Sequence, residues 1–122
     1  MIMTEEQRQD FNRLSREDKR KVSVISSEHP QWGFSQVMAK LAFDKQTEVF
    51  IERGGEDVNP NDPTIWRDIL RGVKVTLSKL KSIGSNILNI LDGAIKSLTL
   101  AIKAGIKSAG SIIRKIKDSL FY

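Results

Sequence analysis

From Trp66 to Leu120 an apolar or small residue returns at the spacing of an α-helix. Trp66, Leu70, Val73, Leu77, Leu80, Gly84, Ile87, Leu91, Ile95, Leu98, Ile102, Ile106, Ala109, Ile113, Ile116 and Leu120 cover 54 residues in 15 steps, or 3.6 residues per step. Positions repeating at that interval share one face of a helix. A heptad seam repeats every 3.5 residues and would drift by nearly half a turn over this length, which disfavours a long left-handed coiled coil. The spacing fits a straight helix against a flat partner, or shorter helices folded back on one another.

Gly72, Gly84, Gly93, Gly105 and Gly110 oppose continuity, each costing about 1 kcal/mol relative to alanine in a helix interior. Breaks are expected near Gly84, Gly93 or Gly105. Val75, Ile90 and Leu100 fall off the stripe. As one helix, the stretch would reach about 80 Å at 1.5 Å per residue, beyond what a sixty-residue partner unit can cover. Its apolar face would then need another chain or a membrane, because a dozen Leu and Ile side chains left in water forfeit about 1.5–3 kcal/mol each. Folded back, the same face is the core of a bundle, packing on Phe34, Leu41, Phe43 and Phe50.

Charge divides the chain in the same place. Residues 1–62 hold 9 Lys/Arg and 12 Asp/Glu, and residues 63–122 hold 11 and 3, so the halves carry −3 and +8. Lys74, Lys81, Lys96, Lys103, Lys107, Arg114 and Lys117, with Arg67 and Arg71, lie opposite or beside the stripe. The acids there are Asp68, Asp92 and Asp118. A cationic polar face behind an aliphatic one is the composition of interfacial helices that lie against anionic lipid, and a basic half favours polyanionic partners.

The N-terminal half reads as short helices. Thr4 and Gln7 have capping-box spacing with Glu5 and Glu6 in the first turn, and Phe11 and Leu14 are the apolar contacts. Ser15 and Asp18 open a second helix carrying Val22, Val24 and Ile25. Pro30 and Gly33 make a turn, and Ser35 is the expected cap of a third helix to about Arg53. That helix has Phe34, Val37, Met38, Leu41 and Val49 on one face, with Phe43 and Phe50 nearly opposite. Gly54 and Gly55 stop it, a polar loop follows, and Asp62-Pro63 starts the basic segment.

No catalytic constellation is visible, so the protein is expected not to be an enzyme. His29 is the only histidine and sits beside Pro30 as a turn residue, and there is no cysteine. Asp57, Asn59, Asn61 and Asp68 match positions 1, 3, 5 and 12 of a calcium loop, but Asp62 stands where that loop needs glycine and Pro60 and Pro63 stiffen it. No metal or cofactor is expected. Arg16, Lys19, Arg20 and Lys21 form a second basic cluster, and the helices around residues 29–34 are similar in spacing to a helix-turn-helix. Glu17 and Asp18 weaken that likeness, which leaves nucleic acid as the lesser option.

The expected fold is all-α: a small helical unit over residues 1–53, a polar linker over 54–62, and a basic amphipathic arm, continuous or interrupted at glycines, over 63–122. The arm's binding face comprises Leu77, Leu80, Ile87, Leu91, Ile95, Leu98, Ile102, Ile106, Ile113 and Ile116. Its anion-binding face comprises Lys74, Lys81, Lys96, Lys103, Lys107, Arg114 and Lys117. Two functions fit: binding or permeabilising an anionic membrane surface as an oligomer, or serving as a structural subunit of a virion or ring whose arm packs on copies or partner chains. The polar, acidic first residues are unlike a signal peptide, and no run approaches the roughly 20 apolar residues of a membrane span. These features point to synthesis in the cytoplasm and a place at a membrane periphery or in a virion.

Overall fold

Where the local capping signals are strong, helices begin as the sequence indicates. In the computed structural model, which describes residues 1–52, 62–105 and 110–121, Thr4 and Gln7 form a reciprocal capping box ahead of α1 (Glu5–Asn12). The Ser15 hydroxyl caps α2 (Arg16–Glu28). Asp62 accepts from the Thr64 and Ile65 N–H groups ahead of α4 (Pro63–Ser78), with Pro63 at a position where its missing N–H costs nothing. The third helix, α3 (Phe34–Glu52), starts one residue ahead of the expected Ser35 cap. The Gln36 side chain reaches back to accept from Gly33 N–H at 2.9 Å, so the turn glycine takes the capping position.

The basic arm is not one helix. It forms α4, α5 (Ser85–Ala104) and α6 (Gly110–Phe121). The longest of these, α5, has 20 residues and so extends about 30 Å. Two of the three expected breaks occur. Residues 79–84 turn α4 back onto α5. At Gly105 the backbone enters the left-handed region (φ 69°), which glycine adopts without a side-chain penalty, and its N–H bonds the Ala101 and Ile102 carbonyls. Gly93 stays inside α5. A Cβ built there meets nothing within 4 Å, so Gly93→Ala is expected to raise stability by about 0.5–1 kcal/mol in urea unfolding of the isolated chain. A destabilised variant would mean that another backbone approaches closely at this point.

Helix α3 is central, packing on α2, α4 and α6, and α4 and α5 lie against each other. Val22, Phe34, Val37, Met38 and Leu41 from the first half meet Trp66, Leu70, Val73, Leu77, Leu91 and Leu98 from the second in one buried cluster. Phe43, on the other side of α3, is half-buried against the same cluster. Phe43 stacks on Trp66 with ring centroids 5.2 Å apart. His29 ends α2 and lies flat on the buried Trp32 ring, 3.7 Å between centroids. Val49, expected on the apolar face of α3, is exposed. Arg53, Gly54, Gly55 and the polar loop, including Asp57, Asn59 and Asn61, lie outside the described residues.

Candidate interaction surface on the C-terminal helices

The apolar stripe points inward. Leu77, Leu91 and Leu98 are fully buried, and Ile87, Ile113 and Ile116 are buried. Leu80 and Ile95 are half-buried against the core, and Ile102 is half-buried. Ile106 and Lys107 lie outside the described residues. The side chains singled out for binding a partner or membrane are therefore occupied with one another while the chain is folded back. The three off-stripe residues are exposed: Val75 at 55%, Ile90 at 38% and Leu100 at 66% of full exposure.

The cations take two positions. Lys74 reaches across from α4 to Asp92 on α5, and the Lys117 ammonium stands 4.7 Å above the Trp66 ring, fastening α6 to the start of α4. Lys81, Lys96, Lys103 and Arg114 are exposed, and no ion pair joins them to an acid among the described residues. Those six pairs also show how the charge imbalance is arranged. Lys21–Glu17, Lys21–Glu48, Lys40–Asp44 and Lys45–Asp18 stay in the first half, while Arg67–Asp68 and Lys74–Asp92 stay in the second. Among the described residues no acid of residues 1–62 forms an ion pair with a base of residues 63–122.

On the outward side of α5, Leu100 stands one helical turn from both Lys96 and Lys103, at the i−4 and i+3 spacings that share a helix face. Leu100 was readable as off-stripe, but its membership of a cationic face appears only when the stripe is known to be buried. A groove of about 450 Å³ runs between α5 and α6, with Ile90, Gly93, Ser97, Lys115 and Ser119 in its lining. Lys115 was not among the residues marked for anion binding. It becomes notable through this groove, which depends on how α6 folds back.

A polar contact that sequence reasoning missed secures the hairpin. Asp10 of α1 is 1% exposed and is the one buried charged residue among those described. Its carboxylate accepts from Lys81 N–H at 3.2 Å, from Ser82 N–H at 2.8 Å and from the Ser82 hydroxyl. Burial by itself pushes the Asp10 carboxyl up. The Ser82 hydroxyl, the two backbone donors and the nearby Arg13 charge outweigh it, leaving the group below the usual aspartate value.

Among the described residues, no cluster of three or more His, Asp or Glu could hold a metal ion, and no helix is long and apolar enough to cross a membrane. No protein-family model, curated protein or solved structure matches the chain.

Proposed function

We propose that the protein acts without catalysis, by attaching to an anionic membrane surface through the outward face of its C-terminal helices. The observation that carries this function is Leu100, two-thirds exposed between Lys96 and Lys103 on a half-chain of charge +8 whose surplus is not paired with the acidic half among the described residues. An exposed leucine flanked by lysines can enter the headgroup boundary while the ammonium groups stay at lipid phosphate. Each lysine near such a surface contributes about 1 kcal/mol. Removing two cations therefore weakens binding about thirtyfold, and reversing their charge weakens it further.

Lys96→Glu with Lys103→Glu is accordingly expected to abolish flotation with vesicles containing phosphatidylserine while leaving the melting temperature nearly unchanged. Retained flotation of this folded double variant, or no flotation of the native chain at low salt, would sink the proposal.

A second function, as an assembly subunit, has its own support in the α5–α6 groove with Ile90 exposed at it. It requires an oligomer that grows with concentration in the absence of lipid, measured by light scattering. A strictly monomeric chain removes it.

A further inference from the structure

The turn between α4 and α5 interrupts the helix without shifting its phase. Two helices that only need to face each other across a hairpin can tolerate any register through the connection. Here Leu77, Leu80, Gly84 and Ile87 keep helical spacing through residues 79–84, and Ile83 is buried beside them. Straightened, residues 63–104 would form one helix with its stripe unbroken. Lys74, Lys81, Lys96 and Lys103, divided between two helices and a turn in the hairpin, would fall within about 60° of arc at 100° per residue. Asp92 shares that sector and would stand four residues before Lys96, an attractive spacing on a helix. No proline occurs from residue 64 to residue 122.

The bent form relies on a residue far away in sequence. Gly84 caps α5 with no side-chain hydrogen bond, and the turn's Lys81 and Ser82 N–H groups are satisfied by Asp10, 71 and 72 residues distant. Asp10 belongs to α1, an eight-residue helix whose other core contacts include the half-buried Phe11. At the bend itself the turn is thus held by one carboxylate on a short helix, while Lys74–Asp92 and the buried leucines join α4 to α5 further along.

We propose that α1 is an autoinhibitory clasp. With Asp10 seated on the turn, α4 and α5 stay folded and bury the stripe against the core. When the clasp releases at an anionic bilayer, the two helices join into one interfacial amphipathic helix with Leu77, Ile87, Leu91 and Leu98 toward the acyl chains. This inference rests on the membrane function proposed above and adds its regulation.

Because the chain has no cysteine, Lys74→Cys with Asp92→Cys places two unique labels at sites that touch in the hairpin. In a continuous helix they stand 18 residues, about 27 Å, apart. Spin–spin distances would be measured free and on vesicles of phosphatidylcholine and phosphatidylserine in equal parts. The expected result is a short distance in solution and one near 27 Å on the vesicles. Ser82→Ala, which removes one hydrogen bond to the carboxylate, should lower the lipid concentration at half-opening about tenfold. If the labelled protein floats with vesicles while the distance stays short, the clasp is wrong and surface attachment stands. Absence of flotation overturns both. An unchanged half-opening concentration in folded Ser82→Ala overturns the role given to Asp10.

Discussion

Leu98→Ala is expected to destabilise the protein by about 2–5 kcal/mol, and Leu100→Ala, two residues along the same helix, by no more than about 0.5 kcal/mol. Leu98 is fully enclosed in the cluster that joins α5 to the rest of the chain, so truncation loses its transfer energy and leaves a cavity. Leu100 projects from the outward face with two-thirds of its surface in water. Total stabilities of small domains are about 5–15 kcal/mol, so the first change should move the urea midpoint far and the second hardly at all. Equal effects would mean that α5 is not folded onto α4 as described. The same pair separates stability from adhesion, since Leu100→Ala should weaken vesicle binding in a protein that still unfolds normally.

The second large effect is at Asp10 and depends on pH. Its carboxyl lies below the usual aspartate value of about 3.9 in the folded chain, because the Ser82 and Lys81 donors and Arg13 outweigh its burial. The unfolded chain therefore binds a proton more readily than the folded one. The stabilisation is complete above the unfolded value and is lost as pH falls through the lower folded value. Asp10→Asn keeps one acceptor for the turn but loses the charge, and should cost about 1.5–3 kcal/mol at pH 6. The gap between the native chain and this variant should close as pH drops below about 4. A gap that stays constant from pH 6 to pH 3 would show that the carboxylate form is not what holds the turn.

Leu98, Leu100 and Asp10 mark what could and could not be read from sequence. That Leu98 lies on the stripe and Leu100 off it follows from sequence, because helical phase is a local property, but whether the stripe meets the core, a partner or a membrane did not. Helix starts at Thr4, Ser15 and Asp62 were legible for the same reason: each cap and its N–H partners lie within three residues. Asp10 was invisible. Nothing near it in the chain distinguishes it from Glu5 or Glu6, which are exposed, and its partners lie some seventy residues away. Continuity of the arm was undecided because Gly84, Gly93 and Gly105 look alike as letters. The fold separates them by giving Gly84 the cap of α5, leaving Gly93 helical and placing Gly105 at positive φ. The candidate surface was legible only in part. The lysines were marked, but the leucines marked with them form the core, and the face that remains outside was the less regular one.

The absence of cross-half ion pairs among the described residues has a consequence for how such a chain can change. Among the described residues its two halves meet through aliphatic and aromatic contacts and the Asp10 carboxylate, while Lys81, Lys96, Lys103 and Arg114 carry part of the surplus charge in exposed positions without an ion pair. Under the proposed function, exchanging Lys96 or Lys103 for glutamate on the outward face of α5 should alter what the protein adheres to and leave its folding nearly untouched. Affinity and foldability are separate variables in this architecture, and each can drift without dragging the other.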